Sequence, residues 1–192
     1  MIRSSAPPDR AGPGPNPYPE QTGTITDVTY DTGLVLLRLK DAVKLRDGED
    51  ADYIVGADYS ISYRLDGGPQ RTITVPRGLI TDLASVPQFA RTLVSRVGPH
   101  LEAAIVHDYL YIAWQDFDGG VPRPQDRNFA DALFLEAMVA ANVGWVGRNS
   151  IHRAVRAFGW WAFASREDSR YVDLDDPDVV AQFPRPIGGV LA

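Results

Sequence analysis

The stretch YSISYRLDGGPQRTITV, residues 59–75, decides the fold class. From Tyr59 to Leu65, apolar side chains alternate with more polar ones, and this period of two predicts a half-buried strand. The sequence DGGP at 66–69 predicts a turn, and a second alternating run follows it to Val75. A connection this short joins antiparallel strands, so the stretch predicts a meander and excludes a parallel crossover.

The residues before this stretch predict further strands and an unusual N-terminal segment. The runs 24–30 and 33–39 flank the turn signal DTG at 31–33, so we expect them to form a hairpin. Residues 1–20 contain six prolines, which exclude a helix or an inner strand. We expect an extended arm there, which either docks on a partner or lies on its own domain.

The residues after the meander predict helices. Apolar side chains recur at helical spacing over 101–114, 126–142 and 148–164. Ser85 and Gln88 predict a helix start with a capping box, and Pro87 lies in the first turn of that helix. In the pair Trp160-Trp161 we expect one ring in the core and the other at an edge or an interface.

Strands followed by helices indicate an α+β fold, with a small antiparallel β-sheet at about 22–80 packed on an α-helical bundle at about 86–164. We therefore predict a single domain over 21–164. The arm 1–20 precedes it, and an acidic, proline-containing tail over 165–192 follows it and runs over the surface.

Composition excludes several classes of function. The chain has 192 residues, a formal net charge of −6 and no cysteine. Without cysteine there are no disulfides, thiolate zinc sites or cysteine nucleophiles. The acidic balance argues against nucleic acid as a partner. No apolar run approaches the roughly 18 residues of a membrane-spanning helix, and we expect a soluble protein without a signal peptide.

Polar residues inside the apolar helix 101–114 form the candidate site. His107 and Asp108 lie among apolar neighbours, so their side chains need partners. Asp131 borders the apolar stripe of the next predicted helix, and the short connection makes the two helices antiparallel neighbours. Asp131 could then fix the His107 tautomer and leave the other ring nitrogen as a base. Tyr111 lies one turn from His107 on the same side.

The geometry leaves two interpretations of this cluster open. A buried His–Asp pair is either catalytic or metal-binding, or it is a packing device that stabilises the helix pair. Asp108 lies about 100° around the helix from His107 and is directed to an adjacent pocket. Asp82, at the junction from strand to helix, is either a turn residue or part of the same site.

Three motifs carry a resemblance to a known family. The sequences TDLASVP at 81–87, HDYLY at 107–111 and ADALFLEAM at 130–138 resemble a domain family of unknown function that is common in tailed phages and prophages. The resemblance covers roughly residues 70–160. It implies a phage or prophage product, associated with the virion near the tail tip or baseplate, and located in the virion or in the host cytoplasm during assembly.

A second, more distant resemblance links the helix pair to secreted phospholipase A₂. It rests on His-Asp-x-x-Tyr at 107–111 and on Asp131 followed by Phe134. It implies that His107 is the general base, that Asp108 binds calcium and that Asp131 orients His107. The disulfides and the glycine-rich calcium loop of that family are absent here, and Asp82 is the candidate replacement ligand.

Together these resemblances predict a hydrolase-like site that acts on a cell-envelope ester or amide, in lipid or peptidoglycan. His107, Asp131 and Tyr111 are the candidate catalytic residues, and Asp108 and Asp82 are the candidate ligands of a calcium or zinc ion. We expect other virion proteins to bind the arm and the tail in an oligomeric assembly. The alternatives are a non-catalytic structural or adaptor protein of the virion, and a host-directed binding protein made during infection.

Overall fold

A computed structural model describes residues 3–4, 15–38, 53–81, 100–117, 119–167 and 170–181. The strands are β1 (Arg3–Ser4), β2 (Ile25–Tyr30), β3 (Leu36–Leu37), β4 (Tyr53–Val55), β5 (Tyr59–Leu65), β6 (Gln70–Val75), β7 (Ile80–Thr81) and β8 (Tyr171–Val172). The helices are α1 (Leu101–Ala113), which continues as a 3₁₀ turn over Trp114–Asp116, then α2 (Pro124–Ala140), α3 (Trp145–Ala164) and α4 (Pro177–Val180). This mixture of small antiparallel sheets and helices confirms the predicted α+β class.

The main sheet has the strand order β2-β5-β6 and is antiparallel throughout. The predicted turn at 66–69 joins β5 to β6, with Asp66 and Gly67 at positive φ. The predicted hairpin between 24–30 and 33–39 is wrong. β2 pairs with β5 instead, and β3 pairs with β4 in a second sheet of order β3-β4-β7. The strand β5 is central, since it pairs with β2 on one side and with β6 on the other, and it is largely buried.

The first two long helices are antiparallel neighbours and pack on the main sheet. Phe129, early in α2, packs against Tyr18, whose hydroxyl accepts a hydrogen bond from the Trp114 amide at the end of α1. Farther along α2, Phe134 stacks on His107 in the middle of α1. The two helices therefore run in opposite directions. The Tyr30 hydroxyl donates to the Ala137 carbonyl at 2.7 Å and ties β2 to α2. A continuous apolar core therefore lies between α1, α2 and the sheet.

The helix boundaries match the predicted stripes with local differences. Pro124 begins α2 and does not merely break the chain before it, because proline fits the first turn of a helix. Neither Trp160 nor Trp161 is in the core, contrary to the expectation for this pair, because Phe163 fills the core position. The predicted helix start at Ser85 lies outside the described residues.

Part of the N-terminal arm lies on the domain. Tyr18 is buried, its hydroxyl donates to the Leu110 carbonyl, and it accepts a hydrogen bond from the Trp114 amide at 3.1 Å. Residues 15–20 of the arm therefore lie on their own domain, which was one of the two alternatives for this segment. The rest of the arm is described only at β1.

The tail contributes to the core and does not simply run over the surface. β8 pairs with β1, and Val172 N–H donates to the Gly78 carbonyl at 2.9 Å. Gly78 has φ +84°, and a Cβ there would lie 2.4 Å from the Val172 carbonyl oxygen, so glycine is required where the tail docks. Arg170 forms an ion pair with Asp116 at 2.7 Å. A second small core results, made of Ile54, Ile80, Val172, Leu174 and Val179.

Candidate functional site

His107 lies on α1 in the interior of the molecule, where it meets α2. Its side chain is 2% exposed. The ring stacks on Phe134 with 4.5 Å between centroids and lies 4.0 Å from the ring of Tyr111. Its Nε2 is 3.2 Å from Oδ1 of Asp131. The predicted contact between the two helices is confirmed.

Asp131 is the centre of the polar cluster. Its Oδ1 also accepts a hydrogen bond of 2.6 Å from the Tyr111 hydroxyl. Its Oδ2 lies 3.6 Å from Nε of Arg127 and 3.6 Å from Nη1 of Arg156. Because the carboxylate is fully buried, it depends on these four partners to offset the loss of hydration.

The pKa shifts fix the charges of the three central groups. Burial lowers the pKa of His107, although the hydrogen bond and the charge of Asp131 oppose this. Burial raises the pKa of Asp131, but the hydrogen bonds from His107 and Tyr111 and the charge of Arg127 outweigh it and lower that pKa overall. Burial and the Asp131 charge raise the pKa of Tyr111 far above its usual range. At neutral pH the cluster is a neutral imidazole, a carboxylate and a neutral phenol.

These charges determine which ring nitrogen of His107 carries the proton. A carboxylate only accepts hydrogen bonds, so Nε2 must donate to Asp131. Nδ1 then holds the lone pair, and no residue in the described part of the chain bonds to it. Oδ2 of Asp131 is likewise buried without a hydrogen bond from a described residue. The His107 ring is therefore oriented so that a basic nitrogen faces away from Asp131.

The structure describes one of the two candidate metal ligands, Asp108. Asp108 is half-buried and accepts a hydrogen bond from Oγ1 of Thr81 at 2.5 Å, which places it on the β7 side of α1. Asp82 lies outside the described residues. The described ranges hold no group of three histidine, aspartate or glutamate side chains that could share a metal ion. The described residues alone therefore do not form a calcium or zinc site, and the metal stays a prediction.

Two arginines of the cluster were missed by the sequence patterns. Arg127 precedes Asp131 by four residues on α2, and that spacing is the signal that could have identified it. From the sequence, Arg156 is expected on a basic, solvent-exposed face of α3. In the structure its guanidinium donates to Oδ1 of Asn128 at 2.5 Å and approaches Asp131. Only the packing of α3 on α2 shows this, because the two residues are distant in sequence.

His152 also approaches the cluster from α3. Burial lowers its pKa, while the charge of Asp131 raises it and that of Arg156 lowers it. It is half-buried and so lies nearer to solvent than His107. The site thus has an inner part, made of His107 and Tyr111, and an outer part formed by α3.

A glycine in the middle of α3 makes room for Tyr111. A Cβ on Gly159 would lie 2.5 Å from the Tyr111 hydroxyl oxygen. Glycine costs about 1 kcal/mol relative to alanine inside a helix. Its presence here is explained by the close approach of the phenol that bonds Asp131. The third helix therefore shapes the inner part of the site as well as the outer part.

Comparison with known proteins identifies a family. The model of a family described as a protein of unknown function, DUF1353, matches residues 58–155. The chain belongs to this family. The DUF1353 region runs from β5 into α3 and includes His107, Tyr111, Asp131 and Arg127. No curated protein and no solved structure matches the chain.

Proposed function

We propose that the DUF1353 region of this chain is a hydrolase in which His107 is the general base. The observation that carries the proposal is the orientation of the ring: Nε2 is held by Asp131, and Nδ1 has no bond from any described residue. A carboxylate that orients a neutral imidazole is the arrangement that general-base catalysis needs. The substrate class that we propose is an ester or amide of the cell envelope.

The proposed reaction uses the residues of the cluster in sequence. Nδ1 of His107 takes a proton from a water molecule as its oxygen attacks the ester or amide carbonyl carbon. The imidazolium that forms is stabilised by the Asp131 carboxylate through Nε2–H. When the bond to the leaving group breaks, His107 returns the proton to that group. Tyr111 and Arg127 position Asp131 in this scheme and do not touch the substrate.

The calcium or zinc predicted for Asp108 and Asp82 takes no part in these steps. Its contribution is tested by assays with and without a chelator, since a divalent cation would polarise the carbonyl under attack. Loss of activity on chelation, restored by calcium or by zinc, supports the metal prediction. Activity unchanged on chelation contradicts it and leaves the role of His107 intact.

The decisive experiment measures hydrolysis of purified sacculi and of phospholipid vesicles by the intact chain and two variants. His107→Asn removes the base, and we expect a loss of about 10²-fold or more in rate. His100→Asn is the matched control, because His100 is equally buried but lies at the start of α1 away from Asp131. Equal rates in both variants would exclude His107 as the base.

A structural role for the cluster is the second candidate, and the burial of the ring favours it. At 2% exposure, His107 is shielded from the water that the reaction needs. If the intact chain hydrolyses neither substrate and His107→Asn lowers the free energy of unfolding while His100→Asn does not, the cluster holds α1 and α2 together. The adaptor interpretation would then replace the hydrolase.

We also propose that the protein is associated with a phage virion, at the tail tip or baseplate, or is present in the host cytoplasm during assembly. The support is the resemblance of the three sequence motifs to phage and prophage proteins. The contacts would involve the exposed parts of the arm and the tail, since Tyr18 and Tyr171 anchor both segments on the domain. Mass spectrometry of purified particles tests this. Absence from particles combined with binding to a host protein would favour the host-directed alternative.

A further inference from the structure

We propose that the exposed face of α3 binds the surface of an anionic lipid bilayer. This face, called the α3 face below, consists of Trp145, Val146, Arg153, Trp160 and Trp161. The proposal concerns attachment alone, and it is independent of whether His107 is catalytic.

The residues of the α3 face lie on one side of the helix. At 100° per residue, Trp145, Val146 and Trp161 fall within an arc of about 160°, and the face is about 24 Å long. Ile151 and Val155 point to the other side and are buried in the core. The helix therefore has a packed side and a side on which Trp145, Val146 and Trp161 are exposed, while Trp160 packs in part on Phe163.

The exposure of this face is high for large apolar side chains. Trp161 is 80% exposed, Trp145 is 66% exposed and Val146 is 68% exposed. The chain has four tryptophans, and the fourth, Trp114, is buried. Isolated apolar side chains on a surface need no explanation, but tryptophans at both ends of one helix indicate a binding surface.

The charge of α3 selects the kind of surface that it fits. Residues 144–166 contain Arg148, Arg153, Arg156 and Arg166 and no aspartate or glutamate, although the whole chain has a net charge of −6. Arg148 and Arg156 donate to groups of the domain, whereas Arg153 is on the exposed face. A helix with a basic, tryptophan-bearing face is typical of attachment to anionic membrane surfaces.

Tryptophan rings prefer the headgroup level of a bilayer, where the apolar ring is buried and the indole N–H stays hydrated. Arg153 lies between the terminal tryptophans and would meet the lipid phosphates. No described helix is long and apolar enough to cross a membrane. The mode of binding that follows is a helix lying in the plane of the interface, with the domain outside the bilayer.

The test is sedimentation of the intact chain with vesicles of phosphatidylglycerol or of phosphatidylcholine. We expect binding to phosphatidylglycerol that weakens as salt is raised, and a blue shift of tryptophan emission, since three of the four tryptophans lie on the α3 face. The double variant W145S/W161S and the charge reversal R153E should each weaken binding roughly tenfold or more. Unfolding curves check that both variants stay folded.

Matched variants away from α3 provide the controls. V121S removes an exposed apolar side chain before α2, and R38E makes the same charge change next to β3. Both should bind vesicles as the parent does. Weakening equal to that of the α3 variants would overturn the proposal, as would equal binding to the two lipids. Concentration-dependent dimers that W145S/W161S abolishes, with no vesicle binding, would assign the face to a second copy.

Discussion

The hydroxyl of Tyr111 fills the space in which a side chain at residue 159 would begin, because a Cβ on Gly159 would lie 2.5 Å from it. The same hydroxyl donates to Asp131 at 2.6 Å. The ring is held between His107 and Phe163 and has little freedom to move aside. One glycine of α3 is therefore coupled to the position of the carboxylate that orients His107.

The first prediction follows from this coupling. Gly159→Ala should lower the free energy of unfolding by about 1–3 kcal/mol, because overpacking a core outweighs the gain of about 1 kcal/mol in helix propensity. In the background Tyr111→Phe, which lacks the hydroxyl, the same change should cost clearly less. Urea denaturation of the four proteins measures the coupling. Additive effects of the two substitutions would contradict the coupling.

The second prediction concerns the buried carboxylate. Asp131→Ala removes the acceptor of His107 and Tyr111 and leaves Arg127 without its buried counter-charge. Breaking such a pair typically costs about 3–5 kcal/mol. Glu136→Ala, on the same helix but at a partly exposed position, should change stability by less than about 0.5 kcal/mol. Similar losses in the two variants would mean that Asp131 is not the centre of the cluster.

The third prediction is a pH dependence. The unfolded chain takes up a proton at His107 near the ordinary pKa of 6.5, but burial lowers the pKa of His107 in the folded protein. Acid therefore favours the unfolded chain, and the free energy of unfolding should fall as the pH drops below about 6.5. In His107→Asn this fall should be smaller, with a remainder from His100 and His152, whose pKa values burial also lowers.

Urea denaturation at neutral and mildly acid pH measures this effect in both proteins. The difference between the two pH slopes belongs to His107 together with Asp131, because the hydrogen bond from His107 helps to lower the pKa of that carboxyl. An identical slope in the variant would show that His107 titrates equally in the folded and unfolded states.

The fourth prediction concerns the tail. Val179 is fully buried in the second small core, and its neighbour Val180 is half exposed. Val179→Ala should cost about 2 kcal/mol through lost burial and a residual cavity, whereas Val180→Ala should change stability by less than about 0.5 kcal/mol. Thermal unfolding measures both. Equal effects would mean that the tail does not contribute to the core in solution.

Local patterns were sufficient for β5, β6, the three long helices and one long-range contact. The alternation in 59–75 predicted β5, β6 and their turn, and helical spacing together with a short connection placed His107 against Asp131. These predictions succeeded because the period of a strand or helix fixes which side chains share a face. The catalytic role of the pair, by contrast, stays a prediction.

Contacts between distant segments were beyond the sequence patterns. The pairing of β2 with β5 and the approach of Arg156 to Asp131 depend on how whole elements pack. The tail was misjudged for a related reason: its acidic, proline-containing composition indicates a surface segment, but Val172, Leu174 and Val179 supply enough apolar area to close a second core. Composition averages over a segment, whereas burial is decided by individual side chains.

The pairing of β1 with β8 has a consequence for biosynthesis. Ser4 lies opposite Tyr171, so β1 cannot pair until the distant β8 has also left the ribosome. The small core that Val172 and Leu174 complete cannot form while these residues are still in the exit tunnel. The central meander and the helices lie between these two strands in sequence, so they can assemble before β1 and β8 pair.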